Sequence, residues 1–386
     1  MTDTAGRTSA AGGGPERRYR RRWVRRGALG LAAFVAAAAG GGWLLYAALD
    51  ANITSDDAAA RELARYERER PTALVKGAQN ILLIGSDTRS GDGNARYGRD
   101  LGSERSDTTI LLHLAANRRS ATAVSLPRDL MVDVPGCLRT DGSRSAPVFT
   151  MFNSAYSVGG SACSIRTVEK LTGVRIDHHV VVDFSGFKEM VDAVDGVRVC
   201  LKEPIHDKAA KLKLPAGEVE LDGEQALGFV RARESLGDGS DTERMERQQQ
   251  FLGALVNKMQ SGDVLLNPVK LYPVLDAATS SLTADPELAS LRGLYQLVRG
   301  LRNIPIKQVQ FLTVPRKPYV HDANRDQLVE PEAGKLFARL RADQPVAVTR
   351  GTPGKTARPG GDTGSRGAPS PAPTFRGSTA AEHGCA

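Results

Sequence analysis

From Gly27 to Leu49 the chain runs for 23 residues without a charge, and the run ends at Asp50. A helix rises 1.5 Å per residue, so a stretch of this length crosses a hydrocarbon core of ~30 Å. Just before it stand Arg17, Arg18, Arg20, Arg21, Arg22, Arg25 and Arg26. A cluster of that kind stays on the cytoplasmic side of a membrane. Trp23, Trp43 and Tyr46 lie near the two ends, where amphipathic rings favour the interface. A cleaved signal peptide competes with this reading, with Ala47 and Ala48 as small residues at a cleavage site. Its apolar region normally runs for only ~7–15 residues, however. A buried Ala-rich helix would leave the Arg cluster unexplained. The expectation is a basic cytoplasmic tail at 1–26, an uncleaved transmembrane anchor at 27–49, and an extracytoplasmic location for everything beyond Asp50.

The anchor changes the meaning of the charge. The chain carries a net +8, but residues 1–26 hold +6 and residues 347–386 hold +3, leaving −1 on residues 27–346. A nucleic-acid partner needs Lys and Arg gathered on the folded surface, and here they sit in the two end segments. Cysteine usage fits an oxidising compartment. Cys137, Cys163 and Cys200 lie in the body and Cys385 near the end. The pairing expected is Cys137 with Cys163, because the loop between them is rich in Gly, Ser and Pro and gains from a staple. Unpaired buried thiols are the alternative.

Residues 50–79 read as a juxtamembrane linker with a polar helix over 51–76, broken at Pro71. The run Asn80–Ser86 has strand length, and Thr108–Ala115 and Ala121–Leu126 follow as two more strands around the turn-prone Asn117–Ser120. Residues 87–107 form a Gly- and Arg-rich loop. Amphipathic helical patterns lie near 163–172, 184–194, 222–230, 242–260, 269–282 and 286–301. Short strands interleave at 178–183, 197–201 and 307–313. This mixture predicts an α/β domain at 80–346, layered α/β/α around a central mixed sheet. Residues 347–386 are rich in Gly, Pro, Ser and Thr, the composition of a disordered tail.

Charged groups flank the first three strands. Asp87 follows strand one; Arg105 and Asp107 precede strand two; Arg128 and Asp129 follow strand three. If the strands alternate in direction, all of these meet at one edge of the sheet. Carboxylates gathered at neutral pH repel unless a positive charge lies between them. A hard divalent cation that keeps part of its shell for water and phosphate suits such an edge; a surface cluster of Asp–Arg salt bridges is the alternative. A second constellation begins at Asp222 and Gly223, which can start a helix leading to Arg231 and Arg233. In an extended segment those two guanidiniums point the same way; in a helix they diverge. The next helix opens with Ser240 and Glu243 at capping-box spacing, with Asp241 beside them. Arg244 and Gln248 share one of its faces, and Arg244 falls in the first turn, where the dipole attracts anions. Converging guanidiniums suit a diphosphate, since their forks pair with phosphate oxygens. Exposed charge on a solvated helix is the alternative.

Taken in order, these stretches resemble the LytR–CpsA–Psr family of cell-wall ligases. The resemblance rests on Asn80-Ile-Leu-Leu-Ile-Gly-Ser-Asp87, Arg105-Ser-Asp107, Ser125-Leu-Pro-Arg128-Asp129 and Phe152-Asn153. It continues through Asp183-Phe-Ser-Gly-Phe187, Leu221-Asp-Gly-Glu-Gln-Ala-Leu227, Val230-Arg231-Ala-Arg233 and Asp241-Thr-Glu-Arg244-Met-Glu-Arg247-Gln248. It spans residues 80–260, and it implies an α/β/α fold with an apolar lipid pocket. The activity implied is Mg²⁺-dependent phosphotransfer, with Mn²⁺ as a substitute. A phosphoglycan would pass from a polyprenyl-diphosphate-linked donor to a peptidoglycan acceptor at a membrane, with no nucleic acid involved. By motif, Asp87 and Asp107 correspond to the metal-linked acids, and Arg105, Arg128, Arg231, Arg233, Arg244 and Gln248 to diphosphate contacts. A general base would help the transfer, and Asp129 and Asp241 are the candidates. The family's Lys-Ile-Asn appears here as Met151-Phe152-Asn153, with a positive charge lost. Two other functions use the same residues: a lipid-diphosphate diphosphatase, and a non-catalytic polyprenyl-lipid-binding or regulatory membrane protein.

Overall fold

The computed structural model describes residues 15–86, 106–232, 241–260, 268–350 and 373–383. The chain divides into two units, one ending at Ala48 and one covering Leu49–Ala386. Helix α1 (Pro15–Asn52) supplies the first. Its portion Arg26–Asn52 is long and apolar enough to cross a membrane.

The second unit begins with a two-residue strand, β1 (Thr54–Ser55), and α2 (Asp57–Arg65). Strands β2 (Gln79–Ser86), β3 (Ser106–Leu114) and β4 (Ala121–Leu126) follow, then the hairpin β5 (Met131–Val134) and β6 (Val148–Met151). Next come α3 (Ser154–Thr172), β7 (His178–Val182) and α4 (Phe184–Ala193). Four short strands, β8 (Val197–Leu201), β9 (Ile205–Asp207), β10 (Leu212–Leu214) and β11 (Gly217–Leu221), lead to α5 (Gly223–Arg231) and α6 (Asp241–Gln260). Beyond these are α7 (Pro268–Ser281), β12 (Leu282–Ala284), α8 (Leu291–Arg302) and β13 (Val309–Thr313). The hairpin β14 (Arg316–Tyr319) and β15 (Asp322–Leu328) precedes α9 (Glu332–Arg341), β16 (Ala347–Thr349) and β17 (Thr374–Thr379).

Nine strands form the central mixed sheet, in the order β1-β12-β7-β2-β3-β4-β13-β17-β16. Alternation along each strand sends side chains to opposite faces. Leu82, Ile84, Leu111, Val124, Leu126 and Leu312 enter a core shared with α2, α3 and α9. Ile81, Ile110, Leu114, Ala121, Ala123 and Phe311 enter another, against α8 and part of α6. Helices therefore cover both faces, which is the layered α/β/α arrangement expected. A third cluster lies under α4, α5, α6 and the short strands β8–β11, with Phe187 and Phe251 at 5.2 Å between ring centroids.

Three sequence expectations change. The helix read over 51–76 is divided, because Asp56 caps a new helix start through the Ala59 amide and β1 joins the sheet beside β12. Burial opposes ionisation of Asp56, but hydrogen bonds from His179, Ser161 and that amide outweigh it and hold the carboxyl at about 2. The segment read as a linker is part of the folded unit: the Arg70 guanidinium reaches buried Glu169 of α3 at 2.8 Å and donates to the Ile176 carbonyl at 2.6 Å. The region 347–386 is not uniformly a tail. Strand β17 pairs antiparallel with β13 and parallel with β16, and Phe375 is buried in the core against α9. Averaging over Gly and Pro hid a short Thr-Phe-Arg-Gly-Ser-Thr strand with one inward aromatic.

Cys137 and Cys163 form the disulfide, with Cα atoms 5.7 Å apart. Among the described residues no cysteine is free. Gly159 makes room for the link: a Cβ there would stand 2.8 Å from the Leu138 carbonyl oxygen and 3.0 Å from both cysteine Cβ atoms.

The Phe375→Ala change removes a core side chain and should cost about 3–5 kcal/mol in chemical unfolding of the purified protein. An unchanged midpoint would mean that β17 contributes nothing to the core.

Candidate active site

Strand direction decides which residues meet. Strand β3 runs antiparallel to both β2 and β4, while β7 is parallel to β2 and β13 is parallel to β4. The ends of β2, β4, β7 and β13 and the start of β3 therefore share one edge, the usual position for ligand sites in open α/β sheets. Ser86 pairs with Ser106, and Thr109 with Leu126, so residues 20 and 17 positions apart in sequence are brought level.

At that edge the Arg128 guanidinium bridges two acids. Its Nη1 lies 2.9 Å from Asp107 Oδ1 and its Nε 3.3 Å from Asp129 Oδ2. The turn carrying Arg128 is fixed from behind. The Asn153 amide donates to the Arg128 carbonyl at 3.0 Å, and the Phe152 amide to that of Leu130 at 2.8 Å. Phe152, which stands where the resemblance led one to expect Ile, is a fully buried anchor. The other oxygen of Asp129 faces Arg325 Nη1 of β15 at 3.4 Å. Both oxygens of Asp129 are thus engaged by guanidiniums.

Helix α6 closes the edge from above. Arg244 in its first turn is buried and lines a small cleft with Asp107, Thr108, Ser125, Arg128 and Gln248. Gln248 Nε2 donates to Thr108 Oγ1 at 3.0 Å and to the Val230 carbonyl at 3.3 Å, tying α6 to β3 and to the end of α5. Gln249 Nε2 donates to Ser125 Oγ and Thr313 Oγ1, both at 3.1 Å, and so joins β4 to β13. Sequence reasoning missed Gln249. The signal was present: it is four residues beyond Met245 and three before Leu252, a polar residue inside the apolar stripe of the helix. Arg247 was also missed as a site neighbour. It is buried, donates to the Ala232 carbonyl, and is lowered from its ordinary value by burial against the opposing pull of Glu243.

Asp107, Arg128, Arg244 and Gln248 thus come to one cleft, with Asp129 on its flank. Arg231 does not line it. As the last residue of α5 it is helical rather than extended, and its guanidinium lies 4.6 Å over the Phe184 ring. Asp241 opens α6. Asp87, Arg105, Arg233 and the Ser240 end of the expected capping box lie outside the described residues. Among the described residues no group of three or more His, Cys, Asp or Glu is placed to hold a metal ion. A groove continues from Asp129 past Arg247 and Gln249 and along Lys317, Pro318 and Asn324 of the β14–β15 hairpin.

The sheet is a mixed α/β one, with acids and guanidiniums gathered at the edge where β2, β4, β7 and β13 end and β3 begins. Residues 49–342 match the LytR_cpsA_psr family, and the chain belongs to it. It is 38% identical over 232 residues to the probable cell wall biosynthesis protein LcpB of Corynebacterium glutamicum, over 58% of this chain and 53% of that protein. The chain therefore spans about half the length of that relative. It is 28% identical over 326 residues to the polyisoprenyl-teichoic acid–peptidoglycan teichoic acid transferase TagT of Bacillus subtilis, over 82% of this chain and 94% of TagT. The fold matches the crystal structure of B. subtilis TagV with a TM-score of 0.55 at 25% identity, over 70% of this chain and 98% of TagV.

Gln249→Ala would strip one amide from two hydroxyls at the β4–β13 seam. It should destabilise the protein by about 1–3 kcal/mol in denaturant unfolding, and no loss would show that water replaces it without cost.

Proposed function

We propose that the chain transfers a phosphoglycan from a polyprenyl-diphosphate carrier to peptidoglycan on the outer side of a membrane. The observation that carries this reading is the cleft in which Asp107, Arg128, Arg244 and Gln248 converge. The relatives support it: TagT is named for a polyisoprenyl-linked teichoic acid and a peptidoglycan acceptor, and LcpB for cell wall biosynthesis. In this reading the apolar helix Arg26–Asn52, long enough to cross a membrane, is the anchor, with the Arg-rich N-terminus cytoplasmic. Thr54 is level with Ile84 through β12 and β7, and β1 runs away from the Asp107 edge. Strand β1 thus starts at the edge of the sheet that bears the cleft.

The reaction asks the protein for alignment and charge neutralisation. An acceptor hydroxyl attacks the phosphorus next to the glycan, forming a new P–O ester. The anhydride P–O bond breaks and polyprenyl phosphate leaves with its electron pair. Arg128 and Arg244 approach from two sides of the cleft, where their forks can grip non-bridging oxygens as charge builds. Gln248 fixes α6 over β3 and holds Arg244 in register. The hydroxyl proton passes to a carboxylate, Asp129 or Asp241; Asp129 must release one guanidinium to take it.

Among the described residues Asp107 is the acid that suits Mg²⁺: it is part-exposed and gives one oxygen to Arg128, and Mg²⁺ is commonly held by one or two carboxylates plus substrate phosphates. Asp87, outside the described residues, is the second acid expected from the motif. When bound, the cation would neutralise the diphosphate and the developing charge of the leaving group. Mn²⁺ would substitute.

The test is a purified transfer reaction with a lipid-diphosphate glycan and acceptor peptidoglycan, read by mass spectrometry. Expected is a phosphodiester-linked product whose formation falls ~10²–10³-fold in Arg128→Ala or Arg244→Lys. In Asp107→Ala the Mg²⁺ titration should move to higher concentration. Release of free phosphoglycan to water with no joined product would make the protein a diphosphatase, and full activity in either Arg variant would refute the cleft assignment.

A further inference from the structure

Beyond the cleft, two hairpins present an aromatic surface to solvent. Phe149 of β6 is 50% exposed and its ring centroid lies 6.0 Å from that of Tyr319 of β14. The Tyr319 ring is in turn 5.3 Å from His321 in the β14–β15 turn, which is exposed. Soluble surfaces do not usually gather such rings without a partner. Each hairpin also sets a carboxylate opposite its aromatic: Asp133 pairs with Phe149, and Asp322 with Tyr319. Residues directly opposite in an antiparallel pair project to the same face, so both ring–carboxylate couples are presented together.

We propose that this surface is a sugar-binding platform that positions the glycan strand of the acceptor for the cleft. The inference rests on the transfer reaction proposed above and assigns its acceptor subsite. A pyranose ring offers an apolar C–H face, which stacks on an aromatic ring, and an equatorial rim of hydroxyls, which donate to carboxylate oxygens. Phe149 and Tyr319 supply the first requirement, and Asp133 and Asp322 the second. A membrane surface fits less well. Anionic headgroups attract polybasic segments, and here the rings stand beside two acids.

Continuity with the cleft gives the direction of binding. Asp322 Oδ2 lies 3.5 Å from Arg325 Nε, and Arg325 Nη1 lies 3.4 Å from Asp129, which is paired with Arg128. Along β15 the platform and the Asp129 contact are separated by the three residue steps from Asp322 to Arg325, or ~10 Å of extended chain. A few linked sugars cover that distance. A strand stacked on the rings would lie along this charged ladder and present a hydroxyl at the cleft.

The test uses the full-length protein in detergent, with a muramidase-released peptidoglycan glycan fragment as probe. Calorimetric binding and the transfer reaction are compared for the wild type, Phe149→Ala, Tyr319→Ala, Tyr319→Phe and Asp133→Asn. Expected are a roughly tenfold weaker fragment affinity and a matching rise in acceptor KM for Phe149→Ala and Tyr319→Ala. The kcat and donor KM should hold, and Tyr319→Phe should behave as wild type. Asp133→Asn should weaken binding without changing the melting temperature. Unchanged fragment affinity in both alanine variants, with transfer intact, overturns the platform while leaving the proposed function standing. Loss of binding to phosphatidylglycerol vesicles, with fragment affinity retained, would overturn it in favour of a membrane contact. A wild-type protein that binds the fragment but joins nothing would instead refute the transfer reaction.

Discussion

The alternation of β2, β3 and β4 is the constraint on which the rest depends. Only because β3 runs against both neighbours do the start of one strand and the ends of two others reach the same edge. Arg128 then lies close enough to bridge Asp107 and Asp129, three groups that in a parallel arrangement would be divided between opposite edges. The ion pairs are part-exposed, so they contribute modestly to stability. Their effect is positional: they hold two acids and a guanidinium in a fixed array before any ligand arrives.

The second component comes from far along the chain and is held by amides. Gln248 and Gln249 are neighbours on α6, yet they reach different strands, one to Thr108 and the other to Ser125 and Thr313. Adjacent helical positions diverge by about 100°, which lets one helix turn address both sides of the edge. Arg244, one turn earlier, is thereby held over the cleft. Buried neutral amides suit this purpose, since each supplies two donors without the desolvation cost of a charge.

Much of this was legible because the relevant signals were local. Asn80–Ser86, Thr108–Ala115 and Ala121–Leu126 are apolar runs of strand length, and the structure places β2, β3 and β4 there with shifts of a residue or two. The shared edge followed from one added assumption about strand direction. What stayed hidden depended on distant pairing. Strand β17 has a single inward aromatic, and its partners β13 and β16 stand at least 25 residues away. The β14–β15 hairpin is polar along most of its length, with no apolar alternation to mark it, yet it delivers Arg325 to Asp129. For Arg231 the sequence left extended and helical backbone open; α5 runs to that residue, with Ala232 as its cap.

The central claim is that acids and guanidiniums from separate strands and a helix grip one double phosphate. The most direct measurement is a crystal structure of the folded unit, residues 49–386, with a short-chain polyprenyl diphosphate and Mg²⁺. The account predicts both phosphorus atoms in the cleft between Asp107, Arg128 and Arg244, beneath Gln248. A diphosphate seated elsewhere, with that cleft holding only water, would contradict it.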